Sequence, residues 1–135
     1  MKKIFLLAIV QFMFMGCSLK YIDAPISAIV APNNLIWEKN YIDNQEKNRD
    51  LLECAQLYSR AYNQFGSNYS YIIYDICMIK KGYDFVTKPN GFPNQCEFKH
   101  NAVGCALSKG EIYLDNEGRV IWRKTGKEVK VDDFR

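Results

Sequence analysis

Histidine is nearly missing from this 135-residue chain: His100 is the only one. A Ser-His-Asp relay would have to be built on it, and no Gly-x-Ser-x-Gly elbow or glycine-rich phosphate loop supports hydrolytic or nucleotide chemistry. The five cysteines include no Cys-x-x-Cys pair, which removes the usual signature of thiol–disulfide exchange and of zinc knuckles. Long apolar runs are absent as well. The run Ile4 to Met15 spans twelve residues and is interrupted by Gln11, whereas a helix crossing a bilayer core of ~30 Å needs about 20. Lysine and arginine are scattered, and the formal net charge is only +3. Nucleic-acid binding draws its affinity from phosphate neutralisation, so this composition speaks against it.

What is present begins with an ordered leader: Met1-Lys2-Lys3, the apolar run, Gly16 and Cys17. A basic start, a short greasy run and a small residue before cysteine resemble a bacterial lipoprotein signal peptide cut ahead of Cys17. Phe14 stands where such signals usually carry Leu, three residues before the cysteine. The resemblance implies acylation of Cys17, hence attachment to a lipid membrane, because each buried acyl CH₂ contributes about 0.8 kcal/mol. Ser18 in the next position implies the outer membrane rather than inner-membrane retention. Removing residues 1–16 takes away Lys2 and Lys3, leaving 16 basic against 15 acidic residues, a net of +1.

With Cys17 assigned to lipid, Cys54, Cys77, Cys96 and Cys105 remain. Export into an oxidising compartment makes two disulfides the expectation, with three pairings open from the count alone. Residues 17–34 carry Pro25 and Pro32 and read as a tether, although Ile22, Ile26, Ile29 and Val30 are apolar for a solvated linker. Trp37 opens a single domain, 35–135, as a core anchor.

Asp43 and Glu46 have capping-box spacing, and Leu51, Cys54, Ala55, Tyr58, Ala61, Tyr62 and Phe65 recur at helical intervals. Gly66 stops that helix, and Ser67 or Asn68 caps a second one carrying Tyr69, Ile72, Ile73, Ile76, Cys77 and Ile79, which Lys80-Lys81-Gly82 ends. Two helices joined by so short a turn run antiparallel. At 1.5 Å rise per residue Cys54 and Cys77 both sit roughly 15–18 Å from the turn, so a Cys54–Cys77 bridge fits. Cys96 and Cys105 then close a surface loop on themselves. Glu111–Leu114, the turn Asp115–Gly118 and Arg119–Arg123 predict a β-hairpin, and Glu128–Val131 a third strand. The expected fold is α+β: a disulfide-stapled antiparallel helical hairpin followed by a small antiparallel β-meander.

Few constellations could carry chemistry. Cys96-x₃-His100-x₄-Cys105 could offer three zinc ligands with Cys77 as a fourth, but it lacks a tight knuckle, and His100 reads as a solvated loop residue. Asp115-Asn116-Glu117-Gly118 is explained as a turn and lacks the ligand count of a calcium loop. Tyrosine is abundant, and Tyr and Trp favour recognition surfaces. Tyr71 and Tyr74 fall off the core stripe of the second helix, and Tyr113 and Ile121 lie on the outer face of the hairpin; these four are the candidate partner-binding patch.

Trp37, Asp50-x₃-Cys54 and Cys77-Met78-x-x-Lys81-Gly82-Tyr83 resemble small lipoproteins of Gram-negative bacteria in which a helical hairpin carries a cysteine pair. The likeness covers the leader and roughly residues 37 to 83. It implies an address and a fold element and brings no catalytic residue. The expectation is a non-enzymatic, outer-membrane lipoprotein without cofactor or metal. It would act as an interaction or structural module toward an envelope or extracellular protein. One alternative is an inhibitor or exclusion factor acting against an incoming enzyme, phage or toxin, which would need an exposed loop such as Gly91 to Gly104. An alternative of another class is a zinc- or thiol-dependent enzyme at Cys96, His100 and Cys105.

Overall fold

A computed structural model describes residues 31–134. The expected leader 1–16, Cys17 and the tether as far as Val30 lie outside the described residues. The last part of the expected tether is inside the fold. Ala31 is buried and its amide donates to the Oε1 of buried Gln95 at 3.0 Å. Asn33–Ile36 (α1) winds one helical turn behind Pro32. The packed region thus begins ahead of the expected boundary at Leu35, since Ala31 and Ile36 both contribute apolar surface to the core.

Trp37–Glu38 (β1) pairs antiparallel with Asp84–Phe85 (β2), placing Trp37 opposite Phe85. The two rings meet edge to face at 5.2 Å, and Trp37 is wholly buried. It is the core anchor expected from the sequence.

Asn44–Phe65 (α2) starts where the capping spacing predicts: the Asp43 carboxylate accepts from the Glu46 amide at 2.7 Å, a contact that typically contributes about 1 kcal/mol. Ser67–Lys80 (α3) follows after Gly66 alone. Gly66 has φ +87° with ψ −179°, backbone that only glycine adopts freely. It occupies both the end of α2 and the cap position of α3, so Ser67 is the first residue of α3 and not its cap; the side chain of Asn68 lies outside the described residues. At its other end α3 closes with Gly82 N–H to Ile79 O and Tyr83 N–H to Met78 O. That is the glycine stop the Lys-Lys-Gly run predicts.

The cystine Cys54–Cys77 spans the two helices with a Cα–Cα distance of 5.7 Å. The same end is tied further: the Tyr83 hydroxyl donates to Asp50 at 2.9 Å, and Lys81 reaches both Asp50 and Glu53. Asp50, Cys54, Cys77, Lys81, Gly82 and Tyr83 are therefore the clamp that holds α2 on the end of α3.

Ala102–Ser108 (α4) is a helix where the sequence predicts a surface loop. Two 3₁₀ turns, Gln95–Glu97 and Lys99–Asn101, lead into it, and Cys96–Cys105 fastens the first turn to the helix. Val103, Gly104, Cys105 and Ala106 are all buried. Gly104 admits no side chain, because a Cβ there would stand 2.2 Å from Cδ2 of Phe85. The glycine that reads as a loop signal is a close-packing position. The stretch Gly91 to Gly104, which an inserting inhibitor would use, is mixed: Gly91, Pro93, Asn94, Glu97 and Lys99 are exposed, while Gln95, Asn101, Val103 and Gly104 are buried.

Ile112–Leu114 (β3) and Val120–Trp122 (β4) form the expected hairpin, with Ile112 opposite Trp122 and Leu114 opposite Val120. Its turn is pinned by Asp115, whose carboxylate accepts the amides of Glu117 and Arg119. The predicted third strand shrinks to one bridge, Ile121 to Glu128, and a 3₁₀ turn, Val131–Phe134, follows as the last described element. The Asp133 carboxylate starts that turn by accepting the Lys130 amide at 2.8 Å, which breaks the strand off.

The result is α+β, with α3 at its centre. It packs against α2, α4, the 99–101 turn, β4 and the terminal turn. Its buried positions Ser70, Ile72, Tyr74, Asp75, Met78 and Ile79 spread over about 200° at 100° per residue, far wider than one amphipathic stripe. Asp75 lies among them. Burial pushes its carboxyl well above the ordinary range, against the opposing hydrogen bond from the Gly104 amide. One carboxyl oxygen has no protein partner.

Candidate functional site

The four residues expected to form a patch do not come together. Tyr74 is 5 % exposed and Ile121 also 5 %. The first is buried because α3 is wrapped on several sides; the second lies at the strand position bridged by Glu128. Tyr113, 36 % exposed, lies under the Arg123 guanidinium, 4.8 Å from its ring centre. Tyr71, at 39 %, alone reaches the concave feature described next.

That feature is a cleft of about 640 Å³, within the ~300–1,000 Å³ typical of ligand sites. Its floor is Ile72 with Ala102 and Val103, and aromatic walls rise as Tyr69 and Tyr71 from α3, Phe98 from between the 3₁₀ turns, and Phe134 from the terminal turn. Glu97, Lys99 and His100 complete the lining. Phe134 is held in place by stacking on Trp122 at 5.2 Å, and the indole N–H of Trp122 donates to Asp133 at 2.8 Å. Phe134 is thereby a fixed wall.

The rings continue outward from the cleft. Tyr71 meets His100 at 5.1 Å and Tyr58 at 5.3 Å, Tyr58 stacks on Tyr62 at 6.1 Å, and Phe65 meets Tyr69 at 5.7 Å. Tyr62 and Phe65, expected on the core face of α2, are exposed. The hairpin runs past the body of the fold there, so its apolar stripe meets only α3 and solvent. A hydrogen bond with Tyr58, with burial behind it, raises the pKa of Tyr71, which stays a phenol at neutral pH.

His100 is no solvated loop residue. It is half-buried between Tyr71 and Phe98, the latter 5.8 Å away, and burial lowers its pKa, so it is neutral at pH 7. Its zinc reading loses its partners: Cys96 is bonded to Cys105, and Cys77 to Cys54. Among the described residues no group of three or more His, Cys, Asp or Glu side chains is placed to hold a metal ion. Also among them, no helix is long and apolar enough to cross a membrane.

Phe98 and Phe134 carry no local signal that links them to Tyr71; only the fold makes them neighbours. The arrangement can desolvate an apolar body between aromatic walls and offer a neutral imidazole and one charge of each sign at its edge. No protein-family model, curated protein or solved structure matches this chain.

Proposed function

We propose that the chain is an exported lipoprotein, anchored through acylated Cys17 in the bacterial cell envelope, at the outer membrane, and that it works there as a non-enzymatic interaction module. The aromatic cleft at the turn end of the helical hairpin carries this reading. An exposed cluster of rings is expensive to keep in water, and a large apolar patch on a small domain marks a recognition surface. Two cystines support an oxidising compartment, and the order Lys2-Lys3, apolar run, Gly16, Cys17 supports the anchor.

Two measurements test it. Metabolic labelling with an alkynyl fatty acid should mark the full-length protein and fail with Cys17→Ala. A photo-crosslinking residue at Tyr71 should capture a partner in intact cells, and the same residue at Tyr113 should not. Equal capture from both positions, or an unlabelled Cys17 chain, would overturn it.

A further inference from the structure

We propose that the cleft takes a zwitterionic single-chain phospholipid, its acyl chain on the Ile72–Ala102–Val103 floor and its headgroup between Glu97 and Lys99. This deepens the reading of the cleft as the recognition site and rests on it. Three observations favour this occupant. The space, about 640 Å³, is several times what one inserted side chain would fill and leaves room for an extended apolar body. None of the lining residues belongs to a strand. An extended peptide would find no sheet edge for its backbone groups, and burying them unpaired costs several kcal/mol in total, whereas an acyl chain has none to satisfy.

The third observation is charge. Glu97 and Lys99 flank Phe98, both are exposed, and neither forms an ion pair among the described residues, not even with the other. Two opposite charges left unpaired on either side of an aromatic wall can each meet one charge of a headgroup that carries both an ammonium and a phosphate. A fatty acid would use only Lys99, and a neutral glycolipid neither. His100, neutral where it stands, can donate to a phosphate or glycerol oxygen without adding charge.

The test uses the purified full-length chain in a maltoside detergent, titrated with myristoyl-lysophosphatidylethanolamine. Native mass spectrometry should show one lipid per chain. Trp122 emission should shift in step, since Trp122 backs the wall residue Phe134. Lys99→Glu should weaken binding about tenfold and the exchanged pair Glu97→Lys/Lys99→Glu should recover part of the loss. Ala102→Trp should abolish binding by filling the floor; if that variant does not melt cooperatively, Phe134→Ser opens the wall instead.

Absence of an adduct with a wild-type chain that melts normally would overturn the proposal. So would equal affinity for myristate, unchanged affinity in the floor and wall variants, or cleft capture of an apolar peptide without lipid. The assay is readable whether or not Cys17 is acylated. Conversely, its failure leaves the cellular crosslinking at Tyr71 intact as a test of the broader reading.

Discussion

At the end of the helical hairpin remote from Gly66, α2 is held on α3 by a cystine, by the Tyr83–Asp50 hydrogen bond and by Lys81 between two carboxylates. At the Gly66 end the same two helices meet through ring contacts, Tyr58 on Tyr71 and Phe65 on Tyr69, with a Tyr58–Tyr71 hydrogen bond, and Tyr62, Phe65 and Tyr71 face solvent. The chain uses similar apolar periodicity at both ends and puts its cystine and its charged fasteners at one. The difference separates architecture from recognition. Rings left half-exposed on a braced scaffold hold their geometry without being consumed as core, the condition a preformed binding surface needs.

The largest effect should come from opening the braced end. Cys54→Ala and Cys77→Ala should each cost about 3 kcal/mol by the loop-entropy model, and the double variant should cost no more than either single one. Clearly additive losses in chemical denaturation would mean that the cystine is not what fastens that end.

Next comes the contact between α4 and β2. Gly104→Ala drives a methyl into the Phe85 ring and should cost about 2 kcal/mol; Phe85→Leu in the same chain should recover much of that. An alanine variant as stable as the parent would show that α4 can shift away from β2. A third probe is pH. Burial raises the folded-state pKa of Asp75 above the unfolded value of about 4. The neutral carboxyl's contribution is therefore complete below that pH and is lost as pH climbs through the folded value. Wild-type melting temperature should fall over that rise more steeply than that of Asp75→Asn, and parallel curves would refute a protonated Asp75.

At the open end the effects on stability should be smallest. His100→Ala and Tyr71→Ser should each change stability by less than about 1 kcal/mol, while weakening lipid capture at the cleft. If either unfolds the chain, the ring cluster is core and the contrast between the two ends dissolves.

Much of the fold was legible along the chain. The capping pair Asp43 and Glu46, the i, i+3, i+4 repeat, the Lys-Lys-Gly stop and the Asp115 turn are local signals, and the equal heights of Cys54 and Cys77 follow from helix rise. Legibility failed where burial depends on partners distant in sequence. Tyr74 lies off the predicted stripe of α3 and is buried because α4, the terminal turn and β4 surround that helix. Ala102–Ser108 is too short to show a period and carries a glycine that mimics a turn. The third strand was lost to the Asp133 cap, a choice between two local hydrogen-bonding schemes that periodicity cannot rank.

The helical hairpin, its turn at Gly66, the β-hairpin and the cystine that bridges α2 and α3 are all written in residue order, because each depends on residues whose spacing converts directly into geometry. Which rings became core and which stayed on the surface was set by long-range packing. The same packing decided that Tyr71, Phe98, His100 and Phe134 should enclose one cleft. A side chain's exposure depends on the elements that fold over it, and those come from parts of the chain that no local period connects.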